Sequence, residues 1–174
     1  MNKPTVEIFT DGSCLGNPGI GGWATILRCN EHEKILAGYS VETTNNKMEL
    51  SAVIAGLKAL KEPCKVKVVT DSQYVCNGIN KGWAESWKDH NWIKSDGKPA
   101  LNKEYWEQLL KLSKEHEIEF IWVKGHNGHP ENEHCDSIAT KMAILAQTHS
   151  NKYGNDAWGI IYDNKVKFMS EETF

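Results

Sequence analysis

The chain has 174 residues, with 20 Lys+Arg against 23 Asp+Glu for a formal charge of −3, and 40% of its residues are apolar. That is the composition of one folded domain, able to bury roughly 70% of the surface its unfolded form exposes, so a core requires neither disulfides nor a structural metal. The charge excludes a protein that grips a polyanion through a global basic field; any such partner must be held locally.

An apolar stretch at 6–9 is interrupted by Glu7 and is too short for a signal h-region or for a membrane span of about 20 apolar residues. The cysteines (Cys14, Cys29, Cys64, Cys76 and Cys135) are odd in number, scattered and without a CxxC. They predict reduced thiols and a cytoplasmic protein; a monomer is expected.

In chain order, residues 5–11 are β-rich and end at Gly12, which predicts a strand. A glycine-rich loop at 16–22 follows, then two apolar runs at 23–27 and 35–41 joined by a polar segment, the pattern of a hairpin. Three strands with no helix between them predict an antiparallel meander. The period then changes: Leu50, Val53, Ile54, Leu57 and Leu60 recur at helical spacing after Met48, behind capping candidates at 43–46, and Pro63 stops the helix. A fourth strand is expected at 65–71 and a fifth at 118–123, separated by helical sequence that includes 102–114. Helix, strand, helices, strand implies parallel pairing in this half. A last core helix is expected at 130–146, with Pro130 near its start and Cys135, Ile138, Ala139, Met142, Leu145 and Ala146 in phase. The remainder divides the chain into a domain at 1–146 and an extension at 147–174, in which a polar linker at 147–156 leads to a hairpin around Asp163-Asn164.

Two strands end alike, as FTDGS at 9–13 and VTDSQ at 69–73. If they are parallel neighbours, Asp11 and Asp71 emerge together at the C-terminal edge of the sheet, where α/β proteins place their sites. Taken singly, each is more often a turn-former. Glu49 lies at the flank of the first helix's apolar stripe, within reach of that edge; its bland reading is a carboxylate at a positive helix N-terminus. Asp136 follows the segment KGHNGHPENEHC at 124–135. Carboxylates within about 4 Å of one another repel by roughly 4 kcal/mol per pair at an effective dielectric of 20, so such a cluster needs cations. Oxygen-only ligands select Mg²⁺ or Mn²⁺, and four carboxylates suit a two-metal phosphodiester site.

FTDGSCLGNPGIGGW at 9–23, TTNNKMEL at 43–50, VTDSQYV at 69–75 and WVKGHNGHPENEHCD at 122–136 resemble the four signature blocks of type 1 ribonuclease H, in that family's order. The resemblance spans residues 5 to about 146. It implies an α/β ribonuclease H-like fold, a five-stranded mixed sheet of three antiparallel then two parallel strands flanked by helices. The implied function is an endonuclease that cuts the RNA strand of RNA·DNA hybrids with two Mg²⁺, leaving 5′-phosphate and 3′-hydroxyl ends. Asp11, Glu49, Asp71 and Asp136 fall on the family's metal-binding carboxylates, with Asp11 bridging both ions, Asp136 on the nucleophile side, and Glu49 and Asp71 on the leaving-group side. His126 falls on the loop histidine that assists proton transfer or product departure, a task suited to an imidazole that titrates near working pH.

By the same resemblance Asn17, Asn46 and Gln73 touch the hybrid in its minor groove, and Thr44 and Asn45 hold a DNA phosphate or sugar nearby. Such amide and hydroxyl groups can read 2′-hydroxyls, although beside turns they commonly satisfy backbone groups. Residues 81–103 resemble the family's basic protrusion, which lies on the DNA strand; Trp83, Trp87 and Lys88 are its candidate contacts, although the i,i+4 spacing of the two tryptophans equally suits packing of the protrusion onto the core. Here five lysines stand against Glu85, Asp89 and Asp96, a net charge of only +2. The glycine loop lacks Gly-Lys-Ser/Thr and is no P-loop. His126, His129, His134 and Cys135 match no usual zinc spacing. The rival functions are a DNA-directed nuclease of the same fold and a non-catalytic hybrid-binding module.

Overall fold

Side chains of the first strand face two separate cores, and this sets the layer plan. The computed structural model describes residues 3–125 and 127–169. Strand β1 (Thr5–Cys14) sends Val6 and Ile8 into one core and Phe9 into the other, as expected of a strand buried on both faces. It is followed by β2 (Gly19–Cys29), β3 (His32–Thr43), α1 (Asn45–Lys58), β4 (Lys65–Thr70), α2 (Gln73–Asn80), α3 (Trp83–Asp89), α4 (Lys103–Glu115), β5 (Glu117–Trp122), α5 (Pro130–Tyr153), β6 (Asp156–Tyr162) and β7 (Lys165–Phe168).

The strands form one sheet in the order β5-β4-β1-β2-β3-β6-β7. β1, β4 and β5 are parallel, and the remaining pairs are antiparallel. On the first face, Leu50, Val53 and Leu57 of α1 pack with Trp106 and Leu109 of α4. On the second, Cys135, Ile138, Ala139, Met142 and Ala146 of α5 cover Phe9, Ile26 and Tyr39. Because α1 lies between the sheet and α4, residues on several of its sides are buried, Glu49 among them. Among the described residues no helix is long and apolar enough to cross a membrane.

The meander and the parallel half agree with expectation, but the sheet has seven strands among the described residues, not five. The C-terminal hairpin joins it: β6 pairs with β3 from Leu36↔Ile160 to Ser40↔Asp156. Asp163 and Asn164 have φ of 47° and 62°, the two positive values a tight two-residue hairpin turn requires. The expected linker is also shorter. The stretch 147–153 forms the last two turns of α5, and the chain leaves the helix at Gly154, φ 91°. These turns are polar in sequence but not idle. His149 and Tyr153 stack at 6.1 Å, and Tyr153 stacks on Phe168 of β7 at 4.2 Å, so the helix end is held by the hairpin that follows it.

Candidate active site

Parallel pairing of β1 with β4 ends at Thr10↔Thr70. Asp11 and Asp71 are the next residues on each strand, so both emerge where the strands part. β1 continues past the site, paired with β2 as far as Cys14↔Gly21, so Asp11 sits on regular strand and not in the turn its sequence context predicts. Glu49 arrives from the first turns of α1, which is capped by Thr44: its Oγ1 accepts the Lys47 N–H at 3.2 Å. Carboxylate oxygens of Asp11, Glu49 and Asp71 lie within 4.8 Å of one another. Asp11 is 4% exposed and Glu49 9%. Asp136 on α5 stands outside this tight group, yet it lines the same crevice as Asp11 and Asp71, together with Lys124, His129 and Asn132.

Crowding sets the electrostatics. Burial, and then the charges of Asp71 and Asp136, push the Asp11 carboxyl up to about 8, although the Gly12 N–H donates to its Oδ1 at 2.8 Å. Glu49 is likewise raised well above the ordinary carboxylate range by burial and by the charges of Asp11 and Asp71. Its Oε2 is buried without a hydrogen-bond partner among the described residues. An oxygen-only set that repels itself and keeps an orphaned acceptor fits a hard divalent cation, which relieves both conditions at once.

The proposed nucleic-acid contacts divide into two groups. Thr44, Asn45 and Asn46 stand at the N-terminus of α1, with Asn17 bonded to Asn45, and Gln73 stands at the N-terminus of α2. Asn17 Oδ1 accepts the Asn45 N–H at 3.2 Å and ties the glycine-rich loop to α1. Asn45, Asn46 and Gln73 are exposed. The second group lies on α3, where the two tryptophans have different surroundings. Trp87 packs edge-on against buried Trp106, with centroids 6.1 Å apart, whereas Trp83 is 40% exposed with Lys81 Nζ 5.4 Å from its ring centroid. Lys88 is exposed. His126 lies outside the described residues. Of its loop, Gly125 passes so close to Asp71 that a Cβ there would sit 2.8 Å from Oδ2. Cys135 donates its thiol to the Phe9 carbonyl at 3.3 Å in the core, which removes it from any zinc set.

Sequence reasoning did not single out Asn132, a buried crevice residue on α5. Its spacing of four from Asp136, which puts both on one helix face, is the signal that could have found it.

Residues 3–144 match the model of the RNase H family. The chain is 54% identical over 141 residues to a ribonuclease H of Thermus thermophilus, which spans 81% of this chain and 85% of that one. It is 52% identical over 143 residues to a ribonuclease H of Nitratidesulfovibrio vulgaris, 82% of this chain and 92% of that one. In fold it is similar to LC9-RNase H1, with a TM-score of 0.75 at 24% identity over 100% of this chain and 92% of that one. It is also similar to LC11-RNase H1, with a TM-score of 0.60 at 22% identity over 82% of this chain and 99% of that one. With the acidic cluster standing at the parting of β1 and β4, the chain belongs to the RNase H family.

Proposed function

We propose that the chain hydrolyses the RNA strand of RNA·DNA hybrids endonucleolytically, with Asp11, Glu49, Asp71 and Asp136 holding two Mg²⁺ ions. The observation that carries this reading is the buried, self-repelling cluster of Asp11, Glu49 and Asp71 with Asp136 across the crevice. When bound, the ions supply water activation and neutralise charge on the leaving 3′-oxygen, giving 5′-phosphate and 3′-hydroxyl ends. Mn²⁺ satisfies the same oxygen ligands.

The chain's own residues do the rest. Asn17, Asn46 and Gln73 offer amides to the minor groove beside the cluster, where 2′-hydroxyls distinguish RNA from DNA. Thr44 and Asn45 meet the DNA backbone at the N-terminus of α1, where partial positive charge favours phosphate. Trp83 and Lys88 extend the contact along the DNA strand from α3, and Trp87 braces that helix against Trp106. His126 moves a proton or assists product departure. A protein of this fold, LC11-RNase H1, forms a complex with an RNA/DNA hybrid. We divide the function at 146/147: residues 1–146 carry the whole proposed site, and 147–174 are an extension that shares α5 with it. We place the protein in the cytoplasm as a monomer; the unpaired cysteines support the compartment.

The deciding experiment is a panel of hybrid, duplex DNA, duplex RNA and single strands incubated with Mg²⁺, with product ends identified by mass spectrometry. Cleavage confined to the RNA of the hybrid is expected. Preferred cutting of duplex DNA would favour the DNA-directed alternative, and binding without cutting would favour a non-catalytic module.

A further inference from the structure

We infer that Asn132 is a positioning residue for the acidic cluster, a brace that holds the ends of β1 and β4 at the separation Asp11 and Asp71 need. The inference rests on reading that cluster as a divalent-metal site. Asn132 lies in the first turn of α5 and is 8% exposed. Its Nδ2 donates to the Val69 carbonyl at 3.2 Å and to the Thr10 carbonyl at 3.4 Å. Thr10 directly precedes Asp11, and Val69 lies two residues before Asp71.

The place of these bonds matters more than their number. The ladder between β1 and β4 ends at Thr10↔Thr70, so past that pair no further strand pairing sets how far the two carboxylates stand apart. The Asn132 amide spans the two strands at this point. Its orientation follows from chemistry, because two carbonyl acceptors call for the NH₂ side of the amide. That leaves Oδ1 buried without a hydrogen-bond partner among the described residues, an exception that in native structures calls for a role beyond packing. Asn132 also lines the crevice with Asp11, Asp71 and Asp136.

The brace is itself anchored. Arg28 of β2 pairs with Glu131 at 3.1 Å, and the Cys135 thiol bonds the Phe9 carbonyl at 3.3 Å, so the residues on both sides of Asn132 are fixed to the sheet. Outer residues that orient metal ligands commonly change metal affinity or activity by about 10- to 100-fold when removed.

The test uses the full-length chain. Mg²⁺ binding is measured by calorimetry without nucleic acid, and hybrid cleavage is measured separately. Asn132→Ala is expected to weaken Mg²⁺ binding and to lower kcat by about 10- to 100-fold each, with KM for the hybrid changed less than about threefold. Asn132→Leu fills the volume without donors and is expected to show the same losses, so a packing defect in the alanine variant does not decide the matter. Ile138→Ala, a core change on the same helix, is expected to lower the melting temperature while leaving Mg²⁺ affinity unchanged. Folded Asn132 variants with parental Mg²⁺ affinity would overturn the brace, as would an equal loss of affinity in Ile138→Ala. A parent chain that neither binds Mg²⁺ nor cleaves would instead overturn the metal-site reading on which the brace rests.

Discussion

Gly12 and Glu49 are in backbone contact across the active-site edge: a Cβ on Gly12 would stand 2.5 Å from the Glu49 nitrogen and 2.6 Å from the Met48 carbonyl carbon. Strand β1 and helix α1 approach this closely only because residue 12 has no side chain, and the approach brings the Glu49 carboxylate beside Asp11. Gly12→Ala therefore forces one element away from the other. It should lower stability by about 1–3 kcal/mol through overpacking and kcat by roughly 100-fold through misplacement of a carboxylate. Melting curves and steady-state kinetics check both, and a variant with parental kcat would show that the contact does not set the site.

The raised Asp11 carboxyl gives the metal-free protein a specific pH response. Its ordinary value is 3.8 and its folded value about 8, so the folded state binds this proton more tightly than the unfolded state. The stabilisation is complete below about pH 4 and is lost as pH rises towards 8. Glu49 is raised by the same causes and acts in the same direction. Asp11→Asn should therefore melt higher than the parent in chelator near pH 8, by about 2–4 °C for each kcal/mol relieved, with the difference vanishing near pH 4. Saturating Mg²⁺ should reverse the order, because only the parent carries the full ligand set. Equal melting temperatures across this range would mean that the cluster is not under electrostatic stress.

Trp83 and Trp87 share a helix, but their surroundings predict opposite outcomes. Trp83→Ala should weaken hybrid binding with little change in melting temperature, since the ring is exposed; loss of a stacking surface typically costs about 1–3 kcal/mol. Trp87→Ala should lower the melting temperature because it removes the ring packed on Trp106. Lys88→Ala should reduce the slope of log affinity against log salt by about 1. Fluorescence anisotropy at several salt concentrations reads the binding terms, and thermal denaturation reads the packing term.

Truncation after Tyr153 separates the hairpin from the chemistry. Trp158 and Ile160 pack against one core, and Ala157, Ile161, Val166 and Phe168 against the other. Their removal should lower the melting temperature by several degrees, while kcat on the hybrid at 25 °C stays within about threefold, since every proposed ligand precedes residue 147. A truncated chain that folds normally but loses cleavage would tie the hairpin to catalysis.

These relationships show what could be read from residues alone. Asp11 and Asp71 were visible because a strand ending in Thr-Asp twice is a local pattern, and the helical period placed Glu49 at the flank of its stripe. The β3–β6 pairing was not visible, because a strand's partner is a long-range property that alternation along either strand does not encode. The end of α5 escaped because 147–153 is polar on most sides, and the rings that hold it come from β7. Asn132 was hidden for a different reason: its partners are backbone carbonyls, which no residue identity announces. Likewise, the spacing of Trp83 and Trp87 could not say which ring faced the core.

The added hairpin also changes what the molecule offers to other copies of itself. Without it, β3 would leave a 12-residue strand with unsatisfied backbone groups along one border, a template for intermolecular strand addition and fibrillar aggregation. With it, that border is the four-residue β7, where Lys165 and Lys167 are exposed, and the opposite border is the six-residue β5, where Glu117 and Glu119 are exposed. Both margins are short and carry exposed charges, which leaves little room for a foreign strand to dock, so the C-terminal hairpin limits strand addition as well as completing the sheet.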